Sequence, residues 1–195
     1  MGLIADNKGN FELTPTGTFV ARCIKVIDLG TQHSEKFNKN QRKVMVAWEL
    51  PTEPMTDGRP FGVAKRYTIS LTDKASLRKD LEAWRGRPFT KEELEGFDLK
   101  NILDKTCYLN IIHKDSEGTI YANIGAIMTL PKGLSCPDRI NDLVHFDLDN
   151  YDAEVYTALS EGLRKTIDNS FEVKGGVIPA KPDATKTEEE EDVPF

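Results

Sequence analysis

"DKASLRKDLEAWRG" (residues 73–86) breaks the rhythm of a chain that otherwise alternates. Its Leu77, Leu81 and Trp84 recur at helical spacing and form one stripe of a helix. On both sides of it the apolar period is two. Upstream, "TFVARCIKVIDL" (18–29) is rich in β-branched residues and reads as a first strand. Its alternation is broken: Val20, Ile24 and Val26 share a face with Arg22, while Ala21 and Cys23 point the other way. A bulge or strong coil would reconcile the two sets. "RKVMVAWEL" (42–50) reads as the second strand, with Val44, Val46, Trp48 and Leu50 on one face, and "FGVAKRYTISL" (61–71) as the third. A polar loop (30–41) and a turn-rich connection (51–60) join the three. Downstream, "TKEE" (90–93) has the Thr and Glu of a capping box and starts a short second helix. "KTCYLNIIH" (105–113) returns to period two with Cys107, Leu109 and Ile111 inward. "TIYANIGAIMTL" (119–130) follows, with Ile120, Ala122, Ile124, Ala126 and Met128 on one face.

Three strands, a helix, then two strands is the order of the oligonucleotide/oligosaccharide-binding barrel, the five-stranded Greek-key OB-fold. A generic α+β sheet is the alternative. The expected class is mainly β, with the OB-fold over 1–135 carrying the inserted helix. A helical extension over 136–173 packs on the barrel; its "YDAEVYTALSEGLRKTI" (151–167) puts Val155, Leu159 and Leu163 on one stripe with Asp152 as N-cap. Residues 174–195 read as a flexible linker and acidic tail.

Composition narrows the function. The 195 residues are 30% charged and 38% hydrophobic, ordinary for a soluble globular chain. No apolar run approaches the ~20 residues of a membrane span, and "MGLIADNKGNFE" lacks the basic start and apolar core of a secretory leader. Cys23, Cys107 and Cys136 are odd in number and widely spaced, so neither a disulfide framework nor a paired zinc motif is expected. A P-loop, GxSxG and HExxH are all missing, and Cys107 on an inward strand face reads as structural. No enzyme, cofactor or metal is expected.

The net charge of −6 conceals an asymmetry. Residues 20–91 hold 15 Lys/Arg against 8 Asp/Glu, whereas residues 92–173 hold 7 against 16. The basic half can meet a polyanion on one face. Binding single strands needs cations for phosphates and rings on which bases stack. The first loop offers Phe37 among cations, including Lys39, Arg42 and Lys43. Phe37 either stacks there or tucks under its own loop. "AKRYTI" (64–69) puts Lys65 and Tyr67 on one face and Arg66 on the other, and the sequence leaves open which set is outside. Tyr108 and Tyr121 oppose the apolar faces of their strands, each with an Asn two residues on, and serve as stacking rings or as packing. Arg22 completes the set of expected phosphate contacts; Trp48 and Trp84 read as core.

The chain closes on "EEEEDVPF" (188–195). A barrel, a flexible linker and an acidic tip ending in Asp, an aliphatic residue, Pro and Phe resembles the bacterial single-stranded DNA-binding proteins. Asp192, Pro194 and Phe195 match that tip directly, while Val193 replaces an isoleucine and glutamates replace most aspartates. The long second connection and the additional helices make the body more similar to a divergent, bacteriophage-encoded member. The resemblance implies a non-enzymatic, sequence-nonspecific coat for single-stranded DNA in replication, recombination and repair. It also implies recruitment of replication and recombination proteins through Asp192–Phe195, and a cytoplasmic location, that of the bacterial host for a phage protein. A homo-oligomer is compatible with it. The competing expectation is an adaptor of the replication machinery that binds protein and no DNA.

Overall fold

The computed structural model describes residues 12–35 and 38–175. Five strands are β1 (Gly17–Ser34), β2 (Lys39–Pro54), β3 (Pro60–Thr68), β4 (Thr106–Ser116) and β5 (Thr119–Met128). They form an antiparallel sheet in the order β3-β2-β1-β4-β5, and a short β6 (Val144–Phe146) pairs with β1 in parallel. Helices α1 (Ser76–Arg85) and α2 (Lys91–Glu95) lie between β3 and β4; α3 (Ala153–Ala158), α4 (Glu161–Asp168) and α5 (Phe171–Lys174) follow β6. β3 and β5, the two ends of the order, approach each other with α1 packed on both. The sheet therefore curls into a barrel-like form.

β1 organises the molecule because its two edges serve different partners. Gly17–Arg22 pair with β4, and Arg22–Ser34 pair with β2. On the β4 side the ladder is continued by Cys23, whose N–H donates to the Lys105 carbonyl at 3.0 Å and whose carbonyl accepts from the Asp104 N–H at 2.9 Å. β6 then covers Lys25–Ile27. Two register shifts, at Ile24 and Leu29, change the phase of β1. These bulges resolve the broken alternation in a way that differs from the sequence expectation. Ala21, Cys23 and Val26 share the first core, while Ile27 and Leu29 join a second.

The first core lies between the sheet and α1. Val44, Val46, Trp48 and Leu50 of β2 meet Leu77, Leu81 and Trp84 of α1, so the helical stripe read from 73–86 is the core-facing one. The Trp48 and Trp84 rings lie 5.7 Å apart, and Trp84 Nε1–H donates to the Thr106 carbonyl at 2.8 Å. Cys107 is fully buried, and burial pushes its thiol well above the ordinary value. Thr90 and Glu93 form the expected reciprocal capping box of α2.

The second core lies on the opposite face of β1 and β2. Ile27, Leu29 and Met45 are buried under Phe146, Leu148, Tyr156, Leu159 and Ile167 of the C-terminal segment. Each such side chain contributes roughly 1.5–3 kcal/mol on burial. Gly30 permits this closeness: at φ +69°, a Cβ there would stand 2.5 Å from the Ser170 Cβ. The segment 151–167 is two helices rather than one, because Leu159 and Ser160 are extended; Asp152 caps α3 as expected, accepting from the Glu154 and Val155 N–H groups.

Two further expectations change. The stretch 30–41 is mostly ladder: β1 and β2 continue to a Ser34–Lys39 pair, with His33 Nδ1 and the Asn40 Oδ1 in hydrogen-bond contact at 2.9 Å. Polar side chains at an exposed hairpin end leave the backbone pairing intact. In β5 a register shift opposite Asn110 and Ile111 reverses the faces. Ile124 still points inward opposite Ile111, but beyond Gly125 the core residue is Ile127, and Met128 is 37% exposed.

Candidate nucleic-acid interface

The cations of the basic half divide into those held by the protein's own carboxylates and those facing solvent. Arg42 belongs to the first group. Its guanidinium meets Asp28 at 2.5 Å, Asp149 at 2.9 Å and Asp147 at 3.8 Å. The Asp28 hydrogen bond raises the Arg42 pKa above its ordinary value. Asp28 is itself buried and also accepts from the Gly30 N–H at 2.9 Å and the Leu148 N–H at 3.3 Å. Arg42 thus ties the β1–β2 hairpin to the C-terminal segment.

Arg22 is likewise engaged. It donates to the Asp104 carboxylate and carbonyl, each at 3.1 Å, and to the Pro137 carbonyl at 2.9 Å. On β3 the register puts Lys65 opposite Val46 and Tyr67 opposite Val44, on the α1 side. Both close on one helical acid: Lys65 Nζ lies 2.5 Å from Asp80 Oδ2, and the Tyr67 O–H donates to the same oxygen at 2.8 Å. Tyr67 is only 3% exposed, so its ring is a core group and presents no stacking face. Burial, with Asp80 beside it, raises the phenol's pKa. Arg22, Arg42, Lys65 and Tyr67, all among the expected DNA contacts, are therefore engaged by the protein's own groups in this conformation.

The other expected residues face solvent. Lys39 is exposed at the hairpin end, and Arg66 is exposed on β3. Lys43 Nζ donates to the neutral oxygens of Thr68 at 2.6 Å and Gln41 at 3.0 Å, which leaves its charge uncompensated by them. Phe37 and the tip Asp192–Phe195 lie outside the described residues.

β4 and β5 bring the remaining pair together. Tyr108 lies opposite Met128, Asn110 opposite Ala126, Ile112 opposite Asn123, and Lys114 opposite Tyr121. These residues occupy the face turned away from the first core, joined by Thr18 and Val20 of β1. Tyr121 is 52% exposed and Tyr108 is half-buried. Asn110 is oriented by donation to the Thr18 hydroxyl at 3.2 Å, and Gly125 leaves room for its amide, since a Cβ there would meet Asn110 Oδ1 at 2.8 Å. The bulge at Gly125, which no alternation pattern shows, is what puts Met128 beside Tyr108.

A cleft of about 640 Å³ opens elsewhere, between the α2–β4 connection and the segment after β6. Val26, Val44, Ile69 and Phe97 supply apolar walls, and Asp98, Asp147 and Asp152 supply much of the rim. Arg42, already paired with Asp28, and Lys100 are the cations of the same lining. Sequence reasoning passed over the acids that organise these surfaces, the buried Asp28 and Glu49 and the half-buried Asp80. For Glu49 a signal was present: a carboxylate inside an apolar strand run needs a built partner set. Among the described residues, no three His, Cys, Asp or Glu side chains converge as a metal ion requires, and no helix is long and apolar enough to cross a membrane. Neither protein-family models nor curated proteins match the chain.

Proposed function

We propose that the protein binds single-stranded DNA without sequence preference and that its barrel is an OB-fold. The observation that carries this reading is the strand order β3-β2-β1-β4-β5, with a helix between β3 and β4 sealing the core. That order and that helix position agree with the OB arrangement. The solvent-facing chemistry supports the ligand class. Lys39, Lys43 and Arg66 supply cations, and Tyr108 and Tyr121 supply rings beside amide side chains. Phosphate neutralisation and base stacking are the two requirements of sequence-tolerant single-strand binding. The acidic stretch 188–195 with Phe195 adds recruitment: an aromatic ring for an apolar pocket, and acids that steer toward basic partners.

The test is a titration of the full chain with labelled poly-dT and a matched duplex at two salt concentrations. Single-strand binding that is stronger than duplex binding and weakens steeply with salt is the expected result. No binding to either at low salt overturns the reading. A protein-binding adaptor is the second reading, and one observation favours it: Arg22, Arg42 and Lys65 are already paired with Asp104, Asp28 and Asp80. It expects partner capture with no oligonucleotide binding.

A further inference from the structure

Resting on the single-strand reading, we infer that the strand crosses the outer face of β4 and β5, with bases stacked on Tyr121 and Tyr108, rather than the outer face of β2 and β3. Three observations lead there. The β2 side is occupied: Met45 is buried on that face, Ala47 packs beside it, and both lie against the C-terminal segment. Of the rings and cations near it, Tyr67 and Lys65 turn inward onto Asp80. What remains is Arg66 and Lys43, with no described aromatic ring beside them on that face.

The β4–β5 face is built differently. Tyr108, Asn110, Lys114, Tyr121, Asn123 and Met128 share it by register. Rings alternate with amides along both strands, so a stacked base has a hydrogen-bonding group beside it. The β4 and β5 residues of that face include a lysine and no carboxylate, and the nearest β1 cation, Arg22, is already paired with Asp104 at its end. In a chain with 32 Asp/Glu, an acid-free face is the one a polyanion can approach at short range. The neighbouring acids Asp115 and Glu117 sit at the hairpin end, and the register turns Asp115 to the opposite side from Lys114. Stacking is tolerant of base identity because every base offers a π face.

The experiment uses the full chain and fluorescein-labelled poly-dT at low salt. Tyr121→Ala and Tyr108→Ala are expected to weaken binding by roughly 5- to 100-fold each, the range of a lost base stack, while Tyr121→Phe keeps its ring and binds within about 2-fold of the parent. A thermal melt of each variant separates loss of contact from loss of fold. Photocrosslinking of iododeoxyuridine oligonucleotides is expected to map to the peptides holding Tyr108 or Tyr121. If the parent binds and both alanine variants bind equally well, or if crosslinks fall on β3 around Arg66, the path is wrong while the single-strand reading stands. If Tyr121→Ala turns a dimer into a monomer with affinity unchanged, the face is a self-interface and the path is again wrong. A parent that binds no oligonucleotide removes the function itself.

Discussion

Glu49 shows how far one side chain can reach in this protein. It is fully buried, and its carboxylate accepts from the Ile140 N–H at 2.8 Å, the Asn141 N–H at 3.0 Å and the Asn141 amide at 2.6 Å. It pins a connector with little regular structure onto β2. Glu49→Ala leaves those donors without their acceptor, and about 1–3 kcal/mol of stability should be lost. Glu49→Gln keeps one acceptor oxygen and should fall between. The measurement is a denaturant melt with limited proteolysis; an alanine variant as stable and as resistant between residues 131 and 143 as the parent sinks the assignment. At this scale the sequence was most opaque. Lys65 and Tyr67 looked like a ligand pair because nothing local shows that Asp80, one helix later, points back at both. Arg22 and Arg42 were hidden for the same reason, their acids lying 82 and 14 positions away. Trp84, Leu77 and Leu81 were legible because helical periodicity alone decides their side.

The elements themselves were mostly visible, and their failures are local. Strand order and the inserted helix follow from changes of period. β6 does not, since three residues carry no period. The bulges at Ile24, Leu29 and opposite Asn110 cannot be placed from alternation that they themselves interrupt. α5 illustrates how a short element is held. Glu172 accepts from the Thr31 N–H at 2.7 Å and from its hydroxyl at 2.6 Å. Burial acts to raise the Glu172 pKa, but the Thr31 hydrogen bonds outweigh it and the group sits below its ordinary value of 4.5. A carboxylate with a lowered folded pKa stabilises above its unfolded value and loses that contribution as pH falls through the folded one. Protection of the α5 and Thr31 amides, taken relative to the intrinsic exchange rate at each pH, should therefore be high at pH 6 and fall below about pH 4.5. Glu172→Gln should exchange fast at both. Equal protection of the parent across that range counts against the strap.

The molecule as a whole has an organisation of charge that its net value conceals. Cations and acids of the described body pair extensively, through Asp28, Asp80, Asp104 and Glu93 among others. Lys39, Lys43 and Arg66 stand in no ion pair among the described residues, and an added block of acids would compete with a polyanion for them. The proposal for residues 188–195 belongs at this scale. Their deletion should leave oligonucleotide affinity unchanged or higher at low salt and abolish capture of replication and recombination proteins. A truncated chain that still captures them overturns the recruitment role. Charge segregation between 20–91 and 92–173 was legible, but its use was not, because much of the basic half is spent on internal pairing.

The parallel pairing of β6 with β1 has a consequence for synthesis. Val144 meets Lys25, so the ribosome makes the two partners roughly 120 residues apart. At ordinary elongation rates β1 waits on the order of ten seconds for that neighbour. Through that interval the edge at Lys25–Ile27 is unpaired, and Ile27, Leu29 and Met45 have no cover. Lys25 stands at the first position of that edge, and a charged side chain there discourages a second nascent chain from adding a strand. The segment that follows β5 thus covers late what β1 and β2 expose early.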